Sequence, residues 1–157
     1  NPVMQYGFEK FCTDAKAAGV DGIILPDLPL YEFETEYQHI FQQNKLDFIF
    51  LITPETSVER IKKIDEVTTG FIYAVSSSST TGKNTDITLQ QSYFQKLQQL
   101  KLKNPILVGF GIKDKQTFKV ACEFTNGAII GSAFIKALHN GTDINASTEE
   151  FLEKILK

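Results

Sequence analysis

The stretches Phe48-Ile49-Phe50-Leu51-Ile52 and Phe71-Ile72-Tyr73-Ala74-Val75 decide the fold class of this chain. Each is a short apolar run, unbroken by charge and rich in β-branched or aromatic residues. Runs of this kind are typical of strands buried on both faces, as in a parallel sheet. Further runs of the same character lie at 22–25, 106–109 and 127–130. The sequence therefore predicts a parallel sheet built from these runs.

Between the runs, apolar residues recur at the spacing of an amphipathic helix. The stripes consist of Phe33, Tyr37, Ile40 and Phe41, of Val58, Ile61, Ile64 and Val67, and of Leu89, Phe94, Leu97 and Leu100. Thr56-Ser57 and Asp114 stand at the predicted starts of two helices, where N-cap residues are favoured. Strands and helices alternate, which predicts one α/β domain built from βα repeats.

The length of the chain limits the architecture. Its 157 residues, 42% of them apolar, are typical of one soluble globular domain. A complete eight-stranded (β/α) barrel usually takes about 250 residues. The repeats therefore fit either an open doubly wound sheet or part of a barrel that lacks three of its strands.

Charge and cysteine content exclude several classes of protein. Sixteen Lys plus Arg against nineteen Asp plus Glu give a net charge of -3, so the basic stripe of a nucleic-acid binder is not expected. No apolar run approaches the roughly 18 residues of a membrane span. Cys12 and Cys122 are far apart and show no metal-ligand spacing, which predicts buried thiols, a reducing compartment and no metal site.

Small residues follow three of the predicted strands, at 76–82, 109–112 and 131–133. Their backbone N–H groups can approach an anion closely, and a helix start adds a favourable dipole. Barrel enzymes commonly bind phosphate at the loops after their last two strands, so these loops predict a phosphate site. The alternative is that the glycines only terminate strands. Neither GxGxxG nor GxxxxGK[ST] occurs in the chain.

Three other residues near strand ends are candidates for a role in a site. Asp27 follows the first strand, and it is either a site carboxylate or the cap of the next helix. Tyr73 and Phe110 form either an aromatic wall or ordinary core. No base stands near the hydroxyls of 77–81, so a nucleophilic triad is not predicted.

Taken together, the loops resemble one known family, the α subunit of tryptophan synthase. The resemblance is carried, in the family's order, by Asn1-Pro2-Val3 through Gly7, Ala18-Gly19-Val20-Asp21-Gly22, Pro26-Asp27-Leu28-Pro29, Leu51-Ile52-Thr53-Pro54, the stretch 73–82, Gly109-Phe110-Gly111-Ile112 and Gly131-Ser132-Ala133. It implies a (β/α)8 TIM barrel, of which residues 1–157 are a partial barrel domain with strands 4–8 and without strands 1–3.

The resemblance also implies roles for individual residues. Phosphate would be bound by Gly82, Gly111, Gly131 and Ser132. The indole pocket would be lined by Tyr73, Phe110 and Leu51. Thr81 would belong to the mobile loop, and Asp27 would lie at the subunit interface. This chain has Ser77 and Ser79 where the family's mobile loop usually has an Arg and a Gly.

The activity implied is a carbon–carbon lyase of tryptophan biosynthesis, which cleaves indole-3-glycerol phosphate to indole and glyceraldehyde 3-phosphate. The family's catalytic Glu and Asp would lie upstream of Asn1, so no catalytic residue is expected here and residues 1–157 alone are expected to be inactive. The family's α subunit needs no cofactor. It assembles in the cytoplasm with a β subunit, which carries pyridoxal phosphate, as an α2β2 heterotetramer.

Three alternatives remain open at this point. Another phosphate-binding barrel, such as a sugar-phosphate isomerase or epimerase, would share the two glycine loops. A non-catalytic module would keep only the activation of a partner subunit. A purely structural open sheet would use the glycines as turns and would bind no phosphate.

Overall fold

The computed structural model describes residues 1–76, 87–109 and 111–157, and its helices alternate with short parallel strands. The strands are β1 (Gly22–Ile24), β2 (Asp47–Ile49), β3 (Leu51–Ile52), β4 (Ile72–Val75), β5 (Ile106–Gly109) and β6 (Gly127–Ala128). The helices are α1 (Pro2–Tyr6), α2 (Phe8–Ala17), α3 (Leu30–Glu32), α4 (Gln38–Asn44), α5 (Val58–Val67), α6 (Ile87–Gln99), α7 (Lys115–Phe124), α8 (Ser132–Asn140) and α9 (Ile144–Leu156). A π-helical turn, Phe33–Tyr37, joins α3 to α4.

The strands pair in the order in which they occur along the chain. β1 pairs with β2, and β3, β4, β5 and β6 follow one another, all parallel. The run predicted at 48–52 is divided into β2 and β3 by Phe50, whose carbonyl oxygen still accepts a hydrogen bond from Tyr73 N at 2.9 Å. Sequential order without a reversal is the topology of a (β/α) barrel, whereas a doubly wound sheet reverses at a switch point.

The core lies between one face of the sheet and the helices. Successive strand residues point to opposite faces, and Phe48, Ile52, Ala74 and Val108 all point to the helix side and are almost completely buried. Phe33 stacks on Phe48 with ring centroids 4.4 Å apart. From α5 and α6, the predicted stripe residues Ile61, Ile64, Phe94 and Leu97 complete this layer. The predicted faces of α5 and of α6 from Phe94 onward are therefore confirmed.

The opposite face of the sheet is more open. Ile24, Leu51, Tyr73 and Leu107 alternate with the buried set and are only partly buried or exposed, with Ile24 39% accessible. In a closed barrel this is the face that side chains fill. Residues 1–157 thus provide one wall of a barrel interior.

Both predicted helix starts are confirmed by their caps. Ser57 Oγ accepts a hydrogen bond from Arg60 N at the start of α5. Asp114 Oδ1 accepts from Thr117 N at 2.9 Å, and Thr117 Oγ1 accepts from Asp114 N at 3.2 Å, which makes a reciprocal capping box on α7.

The two cysteines differ in burial. Cys12 on α2 is completely buried, as predicted, whereas Cys122 on α7 is only partly buried, so the prediction of a buried thiol is wrong at that position. Burial raises the pKa of both thiols. None of the helices in the described ranges combines the length and the apolar character needed to cross a bilayer.

Candidate active site

The carboxyl ends of the strands meet at one edge, because every strand is parallel to its neighbours. Ligands bind at this edge in parallel α/β folds. The residues that follow the strands there include Asp27 after β1, Thr53 after β3, Ser76 after β4, Gly111 after β5 and Gly131 after β6. The fold therefore places the predicted site loops along a common rim.

Leu51 and Tyr73 are direct neighbours in this structure. They are paired in the register of β3 and β4 and point away from the helix layer, toward the interior face. Two residues predicted for one pocket are thus brought together. Burial raises the pKa of the Tyr73 hydroxyl above its ordinary value, so this hydroxyl stays protonated at neutral pH.

Gly109 makes room for the Tyr73 ring. A Cβ placed on Gly109 would overlap the hydroxyl oxygen and ring carbons of Tyr73. A glycine inside a strand often marks such a close approach. The sequence places Gly109 at the end of a predicted strand and the start of a loop motif, but it does not reveal the contact with Tyr73, because that contact depends on how the two strands pair.

The loop after β5 lies against the end of β4. Ser76 N donates to Gly109 O at 3.0 Å, and a Cβ on Gly111 would lie 3.4 Å from Ser76 Oγ. Gly111 has φ of 72°, a conformation that favours glycine. Ser76 is almost completely buried there. Its burial could not be predicted from the sequence, because Ser76 is the first residue of a continuous run of small residues, 76–82.

Gly131 and Ser132 form the start of α8. Gly131 is the N-cap residue, has no side-chain cap, and faces open space where a Cβ would be. The first N–H groups of a helix without a side-chain cap are available to an anion. Among the predicted phosphate ligands, the structure describes Gly111, Gly131 and Ser132, all in loops that follow β5 and β6.

Five residues that the sequence singled out lie outside the described ranges. Gly82, the mobile-loop Thr81, and Ser77 and Ser79 belong to 77–86, and Phe110 is the single residue between 109 and 111. Their predicted roles in phosphate binding, loop closure and the aromatic wall stay predictions.

Asp27 is exposed and does not cap a helix. The helix that follows it begins at Leu30, with Pro29 as N-cap residue and without a side-chain cap hydrogen bond, so the capping alternative is wrong. Asp27 instead lines a cavity of about 240 Å³ together with Pro2, Val3 and Met4. The fold thus brings together two separate stretches that carried the family resemblance, at the start of the chain and after β1.

In the part of the chain that the structure describes, no three His, Cys, Asp or Glu side chains lie close enough together to hold a metal ion. The polar atoms at the rim are mainly backbone N–H groups and hydroxyls. Groups of this kind bind and orient an anionic ligand, but they are poor proton-transfer catalysts at neutral pH.

The family model described as tryptophan synthase alpha chain matches residues 1–156. The chain belongs to the tryptophan synthase alpha chain family. Relatives of that name include the protein of Parabacteroides distasonis, 49% identical over 158 residues, and that of Christiangramia forsetii, 50% identical over 157 residues. The alignments cover 100% and 99% of this chain but 60% of each relative, so the chain spans about three fifths of their length.

Solved structures of tryptophan synthase agree with the fold. A mutant α-subunit from the hyperthermophile Pyrococcus furiosus superposes with a TM-score of 0.82 at 30% identity, covering 99% of this chain and 63% of that one. A chain in the crystal structure of the tryptophan synthase complex from the same organism gives a TM-score of 0.76 at 30% identity, covering 99% of this chain and 61% of that one. The prediction of a partial (β/α) barrel is confirmed, and the doubly wound alternative is wrong.

Proposed function

We propose that the protein to which this chain belongs is the α subunit of tryptophan synthase, a lyase that cleaves indole-3-glycerol phosphate to indole and glyceraldehyde 3-phosphate. Membership of the tryptophan synthase alpha chain family over residues 1–156 carries this proposal. The geometry supports it, because an apolar surface with an aromatic ring and an anion-binding rim stand at the same end of the parallel sheet.

The substrate's phosphate group would lie on backbone N–H groups at Gly111, Gly131 and Ser132, with Gly82 as a further ligand. The start of α8 supplies unpaired donors and the positive end of the helix dipole. The indole ring would lie against Leu51 and Tyr73, whose side chains adjoin on the interior face. Phe110 would extend this wall.

Cleavage needs proton transfers, for which the hydroxyls and backbone N–H groups described on this surface are poorly suited at neutral pH. The indole ring carbon must be protonated, and the side-chain hydroxyl must lose its proton as the carbon–carbon bond breaks. Positioned acid–base groups contribute about 10²–10⁴-fold each to such steps. We propose that the family's Glu and Asp supply them from outside residues 1–157. This segment then binds and orients the substrate, and by itself it is inactive.

The partner would be a tryptophan synthase β subunit, in a cytoplasmic α2β2 assembly in which pyridoxal phosphate belongs to the β subunit and the α subunit needs no cofactor. The cavity lined by Asp27, Pro2, Val3 and Met4 supports a contact there, because it combines an exposed carboxylate with apolar side chains at the rim of the site.

The test is indole release from indole-3-glycerol phosphate by the complete protein and by residues 1–157 alone. We expect turnover by the complete protein and none by the segment. In the complete protein, Ser132→Asp should raise KM about tenfold or more, since like charges at close range cost several kcal/mol. Ser132→Ala is the matched control and should change KM little, because the backbone donors remain.

Three results would overturn parts of this proposal. Turnover by residues 1–157 alone would place the acid–base pair inside the segment. Turnover of a different sugar phosphate by the complete protein would favour an isomerase or epimerase. Activation of a β subunit without any indole release would favour a non-catalytic activating module.

A further inference from the structure

The chain contains two Asn-Gly dipeptides, Asn126-Gly127 and Asn140-Gly141. In such a pair the backbone nitrogen of the glycine can attack the carboxamide carbon of the asparagine. Glycine favours this attack because it has no Cβ and moves freely in φ and ψ. Asparagine is accordingly one of the residues depleted in thermophilic proteins. From the sequence alone the two pairs are equivalent.

The fold holds Asn126 in place. Its Oδ1 accepts a hydrogen bond from Ile106 N at 2.8 Å, and its own backbone N donates to Ile106 O at 3.0 Å. Gly127, which follows, pairs with Leu107 in β6. To reach Gly127 N, the Asn126 carboxamide would have to leave Ile106 and the start of β6 would have to open.

Asn140 is in a different environment. It is exposed, it is the last residue of α8, and its carboxamide has no hydrogen-bond partner among the described residues. None of the residues of α8 is buried. Gly141 N donates to Leu138 O at 3.3 Å, a long hydrogen bond at a helix end that opens easily. Gly141 itself is extended, with φ of -96° and ψ of 159°.

We propose that Asn140 is a site of spontaneous deamidation, a covalent modification that the fold permits there and suppresses at Asn126. The Gly141 backbone nitrogen loses its proton and bonds to Asn140 Cγ, and the side-chain nitrogen leaves as ammonia. Water then opens the resulting five-membered succinimide at one of its two carbonyl carbons. The products are aspartate, or isoaspartate in which the main chain runs through the former side chain. No oxidant or reductant is consumed.

The modification acts on the connection between α8 and α9. A carboxylate at the carboxyl end of α8 opposes the helix dipole. Isoaspartate also adds one carbon to the main chain next to Gly141, which lies so close to Ser147 that a Cβ on Gly141 would overlap Ser147 Oγ, so the connection to α9 would have to shift. Asp143, which caps α9 by accepting from Ala146 N at 2.7 Å, lies three residues on and adds like charge. Modified protein should therefore melt at a lower temperature than unmodified protein.

The experiment follows the folded protein during incubation at mildly alkaline pH, with peptide mapping by mass spectrometry at both pairs. We expect acid forms to accumulate at Asn140 well before Asn126. In urea the two pairs should convert at similar rates, because the structural difference is then gone. Asn140→Ser should remove the early acidic species, and the matched variant Asn126→Ser should leave its formation unchanged.

Conversion at Asn126 as fast as at Asn140 in the folded protein would overturn the proposal, as would an unmodified Asn140 after Asn126 has converted. Persistence of the early acidic species in the Asn140→Ser variant would also overturn it. The isoaspartyl product is distinguished from aspartate by its separate chromatographic peak at the same mass.

Discussion

Gly109 shows how one missing side chain fixes the shape of the candidate site. Because a Cβ on Gly109 would overlap the Tyr73 hydroxyl and ring, Gly109→Ala must displace Tyr73 or spread β4 from β5. We expect a loss of about 1–3 kcal/mol in the free energy of unfolding, the usual cost of overpacking. Urea unfolding measures it. Gly131→Ala is the control, since a Cβ there meets nothing within 4 Å.

A second substitution, at Tyr73, tests whether the overlap with the Tyr73 ring causes the loss of stability in Gly109→Ala. Tyr73→Ala should recover part of the stability lost in Gly109→Ala, because the overlapping atoms are then removed. Equal losses from Gly109→Ala in both backgrounds would show that Tyr73 is not the obstacle.

Tyr93 on α6 buries a hydroxyl that has no hydrogen-bond partner among the residues that the structure describes. Burial, followed by the charge of Glu55, raises the pKa of Tyr93, so the hydroxyl stays protonated at neutral pH. An unpartnered buried polar group costs about 1–3 kcal/mol. We therefore expect Tyr93→Phe to be as stable as the parent protein or more stable in thermal unfolding. A clear loss of stability would mean that the hydroxyl has a partner in solution.

Among the helices, α7 depends on the capping box at Asp114. Asp114→Ala removes the acceptor for Thr117 N and should cost about 0.5–2 kcal/mol, as measured by denaturant unfolding. The backbone hydrogen bond from Thr117 lowers the pKa of Asp114. Its stabilising contribution is therefore present above the unfolded-state pKa and is lost as pH falls through the folded-state pKa.

Asp114→Asn serves as the control for the pH dependence. It keeps an acceptor oxygen at the N-cap, so it should retain most of the stability at neutral pH while its stability falls less in acid. An identical loss in acid for the parent and for Asp114→Asn would show that this carboxylate is not responsible.

A second element-scale contact fixes α5 to the segment before β5. The Asp65 carboxylate accepts hydrogen bonds from Lys103 N at 2.9 Å, Asn104 N at 3.0 Å and Asn104 Nδ2 at 2.9 Å. Asp65→Ala leaves these donors without this acceptor and should lower the unfolding free energy by about 1–3 kcal/mol. Glu66→Ala is the matched control, because among the described residues the Glu66 carboxylate makes only an exposed ion pair with Lys63, which should be worth about 1 kcal/mol or less, while its carbonyl oxygen keeps the hydrogen bond from Lys103.

At the scale of the whole molecule, the described strands form two parallel sheets, β1-β2 and β3-β4-β5-β6, and the outer strands β1 and β6 each have an uncovered edge. In the described ranges β1 pairs only with β2 and β6 only with β5, and Ile24 is exposed on the interior face beside one edge. Apolar strand edges of this kind associate. We expect the 157-residue polypeptide by itself to show concentration-dependent association in analytical ultracentrifugation. A single folded monomer across the accessible concentrations would contradict this.

Much of the fold could be predicted because its signals are local. The apolar runs identify the strands, and the helical stripes identify which faces of α5 and α6 are buried. Ser57 and Asp114 identify two helix starts, because an N-cap is defined by a few neighbouring residues. The division of 48–52 at Phe50 could not be predicted, since it reflects pairing with strands on both sides.

The candidate site was less predictable, because its residues meet only through long-range pairing. The residue types that follow each strand predicted a phosphate site at these loops, and the family resemblance implied Gly82, Gly111, Gly131 and Ser132 as its ligands. Only the tertiary structure decided that Leu51 pairs with Tyr73 and that the absence of a Cβ on Gly109 leaves room for the Tyr73 ring. It also placed Asp27 in a cavity with the first residues of the chain, where Asp27 does not cap a helix. The tertiary structure also decided that Asn126, and not Asn140, is fixed by hydrogen bonds to Ile106. Strand and helix signals and N-caps depend on adjacent residues and can be predicted from the sequence, whereas strand register and side-chain neighbours depend on how distant strands pair.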